Sequence, residues 1–103
     1  MKNQMRAIHP GEILKEEYLT PLGLSVNAFA KALHVTPSRI NDIVLGRRGV
    51  SPDTALRLAR YFGGDAQSWL NLQQCYDLKL AEKSALQTIL KSVIPFPGAA
   101  ATH

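Results

Sequence analysis

Two hydroxyl–proline pairs, Thr36-Pro37 and Ser51-Pro52, constrain this chain more tightly than any other feature of its sequence. Each puts an N-cap side chain directly before a proline at the first helical position. The hydroxyl accepts a hydrogen bond from an orphan amide there, and proline loses nothing, because its missing N–H would be unpaired in any case. Two helix starts are thereby pinned, and the chain between them must hold a short helix and a loop. His9-Pro10 opens a first helix in a similar way, with Glu12 placed to complement the helix dipole. Ser25 and Asp65 serve as further caps, and Thr20-Pro21-Leu22-Gly23 reads as the stop of the first helix.

The segments between these marks have helical spacing. A helix over residues 10–19 offers Ile13, Leu14 and Tyr18 to a core. One over 26–33 offers Val26, Phe29, Ala30 and Leu33 at i, i+3, i+4 and i+7. One over 37–45 offers Ile40, Ile43 and Val44, and one over 52–62 offers Ala55, Leu56, Ala59 and Phe62 before Gly63-Gly64. A fifth, over 66–82, offers Trp69, Leu72, Tyr76 and Leu80. Ala85 to Ile94 has room for a further turn or two of helix; Pro95 stops it, and residues 95–103 read as a loose tail. No stretch alternates long enough to suggest a sheet, and 103 residues suffice for one domain. The expected fold class is all-α, a compact bundle of about five helices.

The second and third helices are joined only by His34-Val35-Thr36, which is the spacing of a helix-turn-helix over residues 26–46. Its core would be Ala30, small where the helices cross, with Val35 after the turn and Ile40 and Ile43 anchoring the second helix. Turning Ile40, Ile43 and Val44 inward points Ser38, Asp42 and Leu45 outward, with Arg39 and Asn41 flanking them. Arginine can pair bidentately with guanine and asparagine with adenine, so Ser38, Arg39 and Asn41 are the candidate base-reading residues. Thr36 and the Arg47-Arg48 pair, on a loop bounded by Gly46 and Gly49, are the candidate contacts to the DNA backbone. Asp42 would be repelled by DNA and is read as orienting Arg39 at i−3, while Arg57 and Arg60 read as a solvated helix face. His34 stands at a turn position that favours a left-handed backbone, which histidine tolerates at some strain.

The charge partition fits that reading. Residues 1–64 hold nine Lys/Arg against five Asp/Glu, whereas residues 65–103 hold three of each, so the whole net charge of +4 lies in the first part. Either a polyanionic partner or a solubilising surface accounts for such an excess. The single cysteine, Cys75, excludes an internal disulfide and suits a reducing compartment; with no apolar run of membrane-spanning length, the expected location is the cytoplasm. No metal-ligand spacing, Gly-rich phosphate loop or nucleophile motif occurs, so neither enzyme nor cofactor is expected.

Three stretches together resemble the HigA-type antitoxins of the Cro/C1 (XRE) helix-turn-helix family. They are His9-Pro10-Gly11-Glu12-Ile13-Leu14 through Pro21-Leu22-Gly23-Leu24-Ser25; Arg39-Ile40-Asn41-Asp42-Ile43 with Gly46-Arg47-Arg48-Gly49-Val50-Ser51; and Thr54 through Gly63 with Trp69-Leu70-Asn71-Leu72-Gln73 and Tyr76-Asp77-Leu78. The resemblance covers about residues 9–80. It implies a dimer on a palindromic operator at its own promoter, and a HigB-like, mRNA-cleaving toxin as second partner. The corresponding organisation is an N-terminal segment (1–8), a DNA-binding domain (9–64), a helical extension (65–94) and a flexible tail (95–103). Trp69, Leu72, Tyr76 and Leu80 of the extension are candidates for dimer packing, with core packing or a ligand pocket as alternatives. Glu12, Glu16 and Glu17 on the first helix form an acidic patch that could face a basic toxin or simply be solvated. A solitary repressor without a toxin, or an interaction module that has lost DNA binding, are the competing functions.

Overall fold

The computed structural model describes residues 6–97; the expectations for residues 1–5 and 98–103 lie outside them. Among the described residues there are five helices and no strand. Helix α1 spans residues 10–22 as three joined segments, α-helical Pro10–Ile13, π-helical Leu14–Leu19 and α-helical Thr20–Leu22. It is followed by α2 (Val26–Leu33), α3 (Pro37–Val44), α4 (Pro52–Phe62) and α5 (Ala66–Ser92).

Each start is capped as its sequence dictates. The side chains of Ser25, Thr36, Ser51 and Asp65 accept from the backbone N–H groups of Ala28, Arg39, Thr54 and Ser68. His9 caps α1 with its ring, Nδ1 accepting from Gly11 N–H at 2.9 Å. Three helices end alike, with a left-handed residue after the last turn and two bonds back to orphan carbonyls. Leu24 and Gly23 donate to Leu19 O and Thr20 O, Val35 and His34 to Ala30 O and Lys31 O, and Arg47 and Gly46 to Asp42 O and Ile43 O. The left-handed residues are Gly23, His34 and Gly46, and His34 (φ 60°) is the only non-glycine with positive φ among the described residues.

Two sequence expectations are corrected. The first helix does not stop at Thr20-Pro21 but runs to Leu22. A proline inside a regular helix clashes with the carbonyl four residues back; the wider π turn just before it, seen in the Thr20 N–H to Lys15 O bond, relieves that conflict. Nor is 85–94 a separate segment. Helix α5 is continuous for 27 residues, because no glycine or proline interrupts Ala66–Ser92.

Phe29, Ala30, Leu33, Ile40, Ile43, Ala55 and Leu58 form the centre of the core, with Leu14, Leu19, Val50 and Trp69 around it. Tyr18 stands between Phe62 and Trp69, at ring-centroid distances of 4.4 and 5.7 Å. Gly11 decides how α1 meets α3: a Cβ there would lie 1.8 Å from Ile43 O, so the backbones touch directly. Only the first half of α5 joins the bundle. From Asp77 onward Lys79 and Ala85 alone are even half-buried, and the helix projects outward, giving an envelope of 54 × 26 × 22 Å. No helix among the described residues is long and apolar enough to cross a membrane.

Candidate DNA-binding interface

Helices α2 and α3 cross at Ala30, whose side chain is fully buried with Ile40 and Ile43, while Val35 is half-buried just after the turn. That leaves Ser38 and Asn41 exposed on α3, with Leu45 exposed at its end. Thr36 is exposed and doubly engaged: its hydroxyl oxygen accepts from Arg39 N–H and lies 3.2 Å from Ser38 Oγ. Thr36 thus caps the short polar first turn of α3.

Arg39 is not held as the sequence suggested. Its side chain is 31% exposed, and Nη1 donates to Asp53 Oδ2 at 2.9 Å and reaches the buried Thr54 hydroxyl at 3.5 Å. Asp42 plays no part in orienting it. The Asp42 carboxylate lies 3.7 Å from the guanidinium groups of both Arg47 and Arg48, and its carbonyl accepts from their two backbone amides. The reason is the tight turn at Gly46, which folds the loop back over the last turn of α3 and brings those arginines within reach of Asp42.

Arg57 is likewise more than a solvated residue. Its Nε donates to Asp53 Oδ2 at 2.8 Å, and its Nη1 donates to Leu33 O at 2.9 Å, an orphan carbonyl at the end of α2. The two guanidinium groups beside Asp53, Arg57 first and Arg39 second, hold its carboxyl below the usual carboxylate range. Arg60 remains exposed, as expected.

The loop carrying Arg47 and Arg48 is fastened from beneath by α5. Gln73 Oε1 accepts from the N–H of buried Val50 at 2.8 Å, and Gln73 Nε2 donates to Asp77 Oδ1 at 3.0 Å. Gly49 leaves room for that amide, since a Cβ would meet Gln73 Cδ at 3.0 Å. On the other side His9 lies edge-on to Tyr76, with ring centroids 4.8 Å apart. Burial lowers the His9 pKa, partly offset by the Asp77 charge, the Arg48 carbonyl and Glu12. Asp53, Gln73 and the bridging role of His9 escaped sequence reasoning. Only the i, i+4 spacing of Asp53 and Arg57 offered a signal for any of them.

The candidate dimer residues separate into classes. Trp69 is buried inside its own chain against Tyr18, so it belongs to the core and is not offered to a partner. Leu72 and Tyr76 are half-buried, whereas Leu80 is 43% exposed, and Leu78, Leu86, Ile89 and Leu90 of α5 are exposed as well. In the acidic patch, Glu12 is neutralised by Arg6, whose Nη1 donates to its Oε1 at 3.0 Å. Glu16 and Glu17 are exposed and make no ion pair among the described residues.

The helix-turn-helix family model matches residues 14–69, more than half of the chain. Virulence-associated protein I of Dichelobacter nodosus is 73% identical over 82 residues, which cover 80% of this chain and 76% of that protein. A HigA-family addiction module antidote protein from Coxiella burnetii superposes with a TM-score of 0.85 at 47% identity, over 89% of this chain and all of that one. The Pseudomonas aeruginosa antitoxin HigA, solved with the higBA promoter, gives a TM-score of 0.86 at 45% identity over 88% of this chain and 99% of its own. These likenesses agree with the buried Ala30–Ile40–Ile43 crossing and the polar face of α3. The chain belongs to the Cro/C1-type (XRE) helix-turn-helix family, DNA-binding proteins rather than enzymes, and its structural neighbours there include HigA antitoxins.

Proposed function

We propose that the chain is the antitoxin of a two-component toxin–antitoxin module. As a homodimer it binds a palindromic operator at its own promoter, represses that operon, and neutralises a HigB-like toxin that cleaves mRNA. The observation that carries this reading is the extent of the likeness to HigA antitoxins. It runs through about nine-tenths of the chain, and so through the DNA-facing bundle and most of α5.

In this reading Ser38, Arg39 and Asn41 meet base edges, while Thr36, Arg47 and Arg48 meet phosphates. Residues 9–64 are the DNA-binding domain and 65–94 the extension through which two chains pair. The partner chain covers part of the exposed apolar surface of α5, which Leu78, Leu80, Leu86, Ile89 and Leu90 leave in water in one chain. Two-fold pairing sets half-sites about one helical turn, or a multiple of it, apart. Glu16 and Glu17, exposed on α1, supply charge complementary to a basic toxin.

Co-expression with the adjacent reading frame tests the antitoxin role. Co-purification and restored growth are expected. Neither complex nor rescue, with operator binding intact, leaves a solitary repressor. A complex indifferent to Glu16→Lys with Glu17→Lys rejects only that surface.

A further inference from the structure

The arginine proposed to read a base is anchored at one corner only. Asp53 occupies Nη1 of Arg39, leaving the Nε–Nη2 edge without a hydrogen-bond partner among the described residues. A two-donor edge is the fork that guanine O6 and N7 accept. Asp53 is itself fixed from the far side by Arg57, through Nε at 2.8 Å and Nη2 at 3.4 Å. Arg57 in turn is tied to Leu33 O at 2.9 Å and His34 O at 3.5 Å. A continuous chain of charge-assisted bonds therefore runs from the end of α2, across the first turn of α4, to the guanidinium on α3.

A free arginine beside a duplex has an easier destination than a base, because phosphates are nearer, more numerous and charged. We propose that Asp53 is a specificity-determining positioning residue, which holds Arg39 toward the base edges and keeps it from the flanking phosphates. The proposal rests on α3 reading DNA. Asp53 does not touch the bases; it limits where the arginine can go, and its own negative charge repels the phosphate that would capture it.

The test uses the full-length chain, an operator duplex from its own promoter and a scrambled duplex of equal length, over a series of salt concentrations. Asp53→Asn is expected to lower the ratio of operator to scrambled affinity about tenfold, as for the loss of one discriminating base contact. The fall should come mainly from tighter scrambled binding, whose salt slope should steepen by about one. Asp53→Ser should behave alike and serves if the Asn variant does not fold; Asp53→Glu should keep most of the ratio. In an Arg39→Ala background Asp53→Asn should shift both affinities equally, leaving the ratio unchanged. A ratio preserved within about twofold in Asp53→Asn and Asp53→Ser, beside a collapsed ratio in Arg39→Ala, overturns the inference while sparing the reading of α3. So does a fall that persists without Arg39. A ratio intact in Arg39→Ala alone refutes the base-reading role of Arg39 and the inference with it.

Discussion

Replacing Gly11 by alanine would ordinarily stabilise a helix, by roughly 0.5–1 kcal/mol, because glycine loses more backbone entropy on folding. Here the sign should reverse. The new Cβ would sit 1.8 Å from Ile43 O and 2.6 Å from Ile43 C, both backbone atoms of α3 that no rotamer change can move aside. Helix α1 must therefore withdraw from α3 by more than an ångström, in a region where Gly11, Leu14 and Ile43 are fully or nearly buried. Overpacking of this kind costs about 1–3 kcal/mol or more, which outweighs the propensity gain. For a domain of this size that corresponds to a drop in Tm of roughly 5–15 °C. Operator affinity should fall as well in the folded fraction, since the displaced partner of Gly11 is the helix that carries Arg39 and Asn41. Thermal melts followed by circular dichroism give the first number and anisotropy titrations at low temperature the second. A Tm equal to or above the wild type would refute the direct backbone contact between α1 and α3.

His34→Gly relieves a left-handed backbone at an exposed site and should stabilise the protein by about 0.5–1 kcal/mol; an unchanged or lowered Tm would count against strain there. Gln73→Ala leaves the N–H of buried Val50 without its partner, at a cost of about 1–3 kcal/mol in denaturant unfolding, and loosens the loop of Arg47 and Arg48. Burial favours neutral His9, so the unfolded chain binds the extra proton first. Stability should hold above about pH 6.5 and decline as pH falls below it, and His9→Asn, which keeps a capping acceptor, should flatten the profile between pH 7 and 5. Arg47→Ala and Arg48→Ala should weaken operator and scrambled duplexes alike and reduce the salt slope by about one each.

The helix starts and the α2–α3 crossing were legible because their causes are local. A hydroxyl before a proline, or a small residue at i+4 of an apolar stripe, means nearly the same thing in any context. His34 was legible as a left-handed residue from its place in the turn rather than from its own side chain. The ionic contacts were not, because they join positions far apart in sequence. Arg39 was paired by proximity with Asp42, three residues away, whereas the fold brings Asp53 to it and gives Asp42 to Arg47 and Arg48. The π turn before Pro21 also lay beyond periodicity, which distinguishes stopping from continuing but not how a helix accommodates a proline. Trp69 shows the limit of an amphipathic stripe: spacing marked it as apolar and inward, yet only packing against Tyr18 shows that inward means its own chain.

The central claim is that the exposed face of α3 enters the major groove of a two-fold operator. Methylation interference at guanine N7, on DNA from the chain's own promoter, tests it most directly because N7 lies in that groove. The account predicts two patches of interference with dyad symmetry, their centres about 10 base pairs or a multiple of that apart, and loss of one guanine in each patch with Arg39→Ala. Interference that is absent from the major groove, or a pattern that Arg39→Ala leaves unchanged, would contradict it.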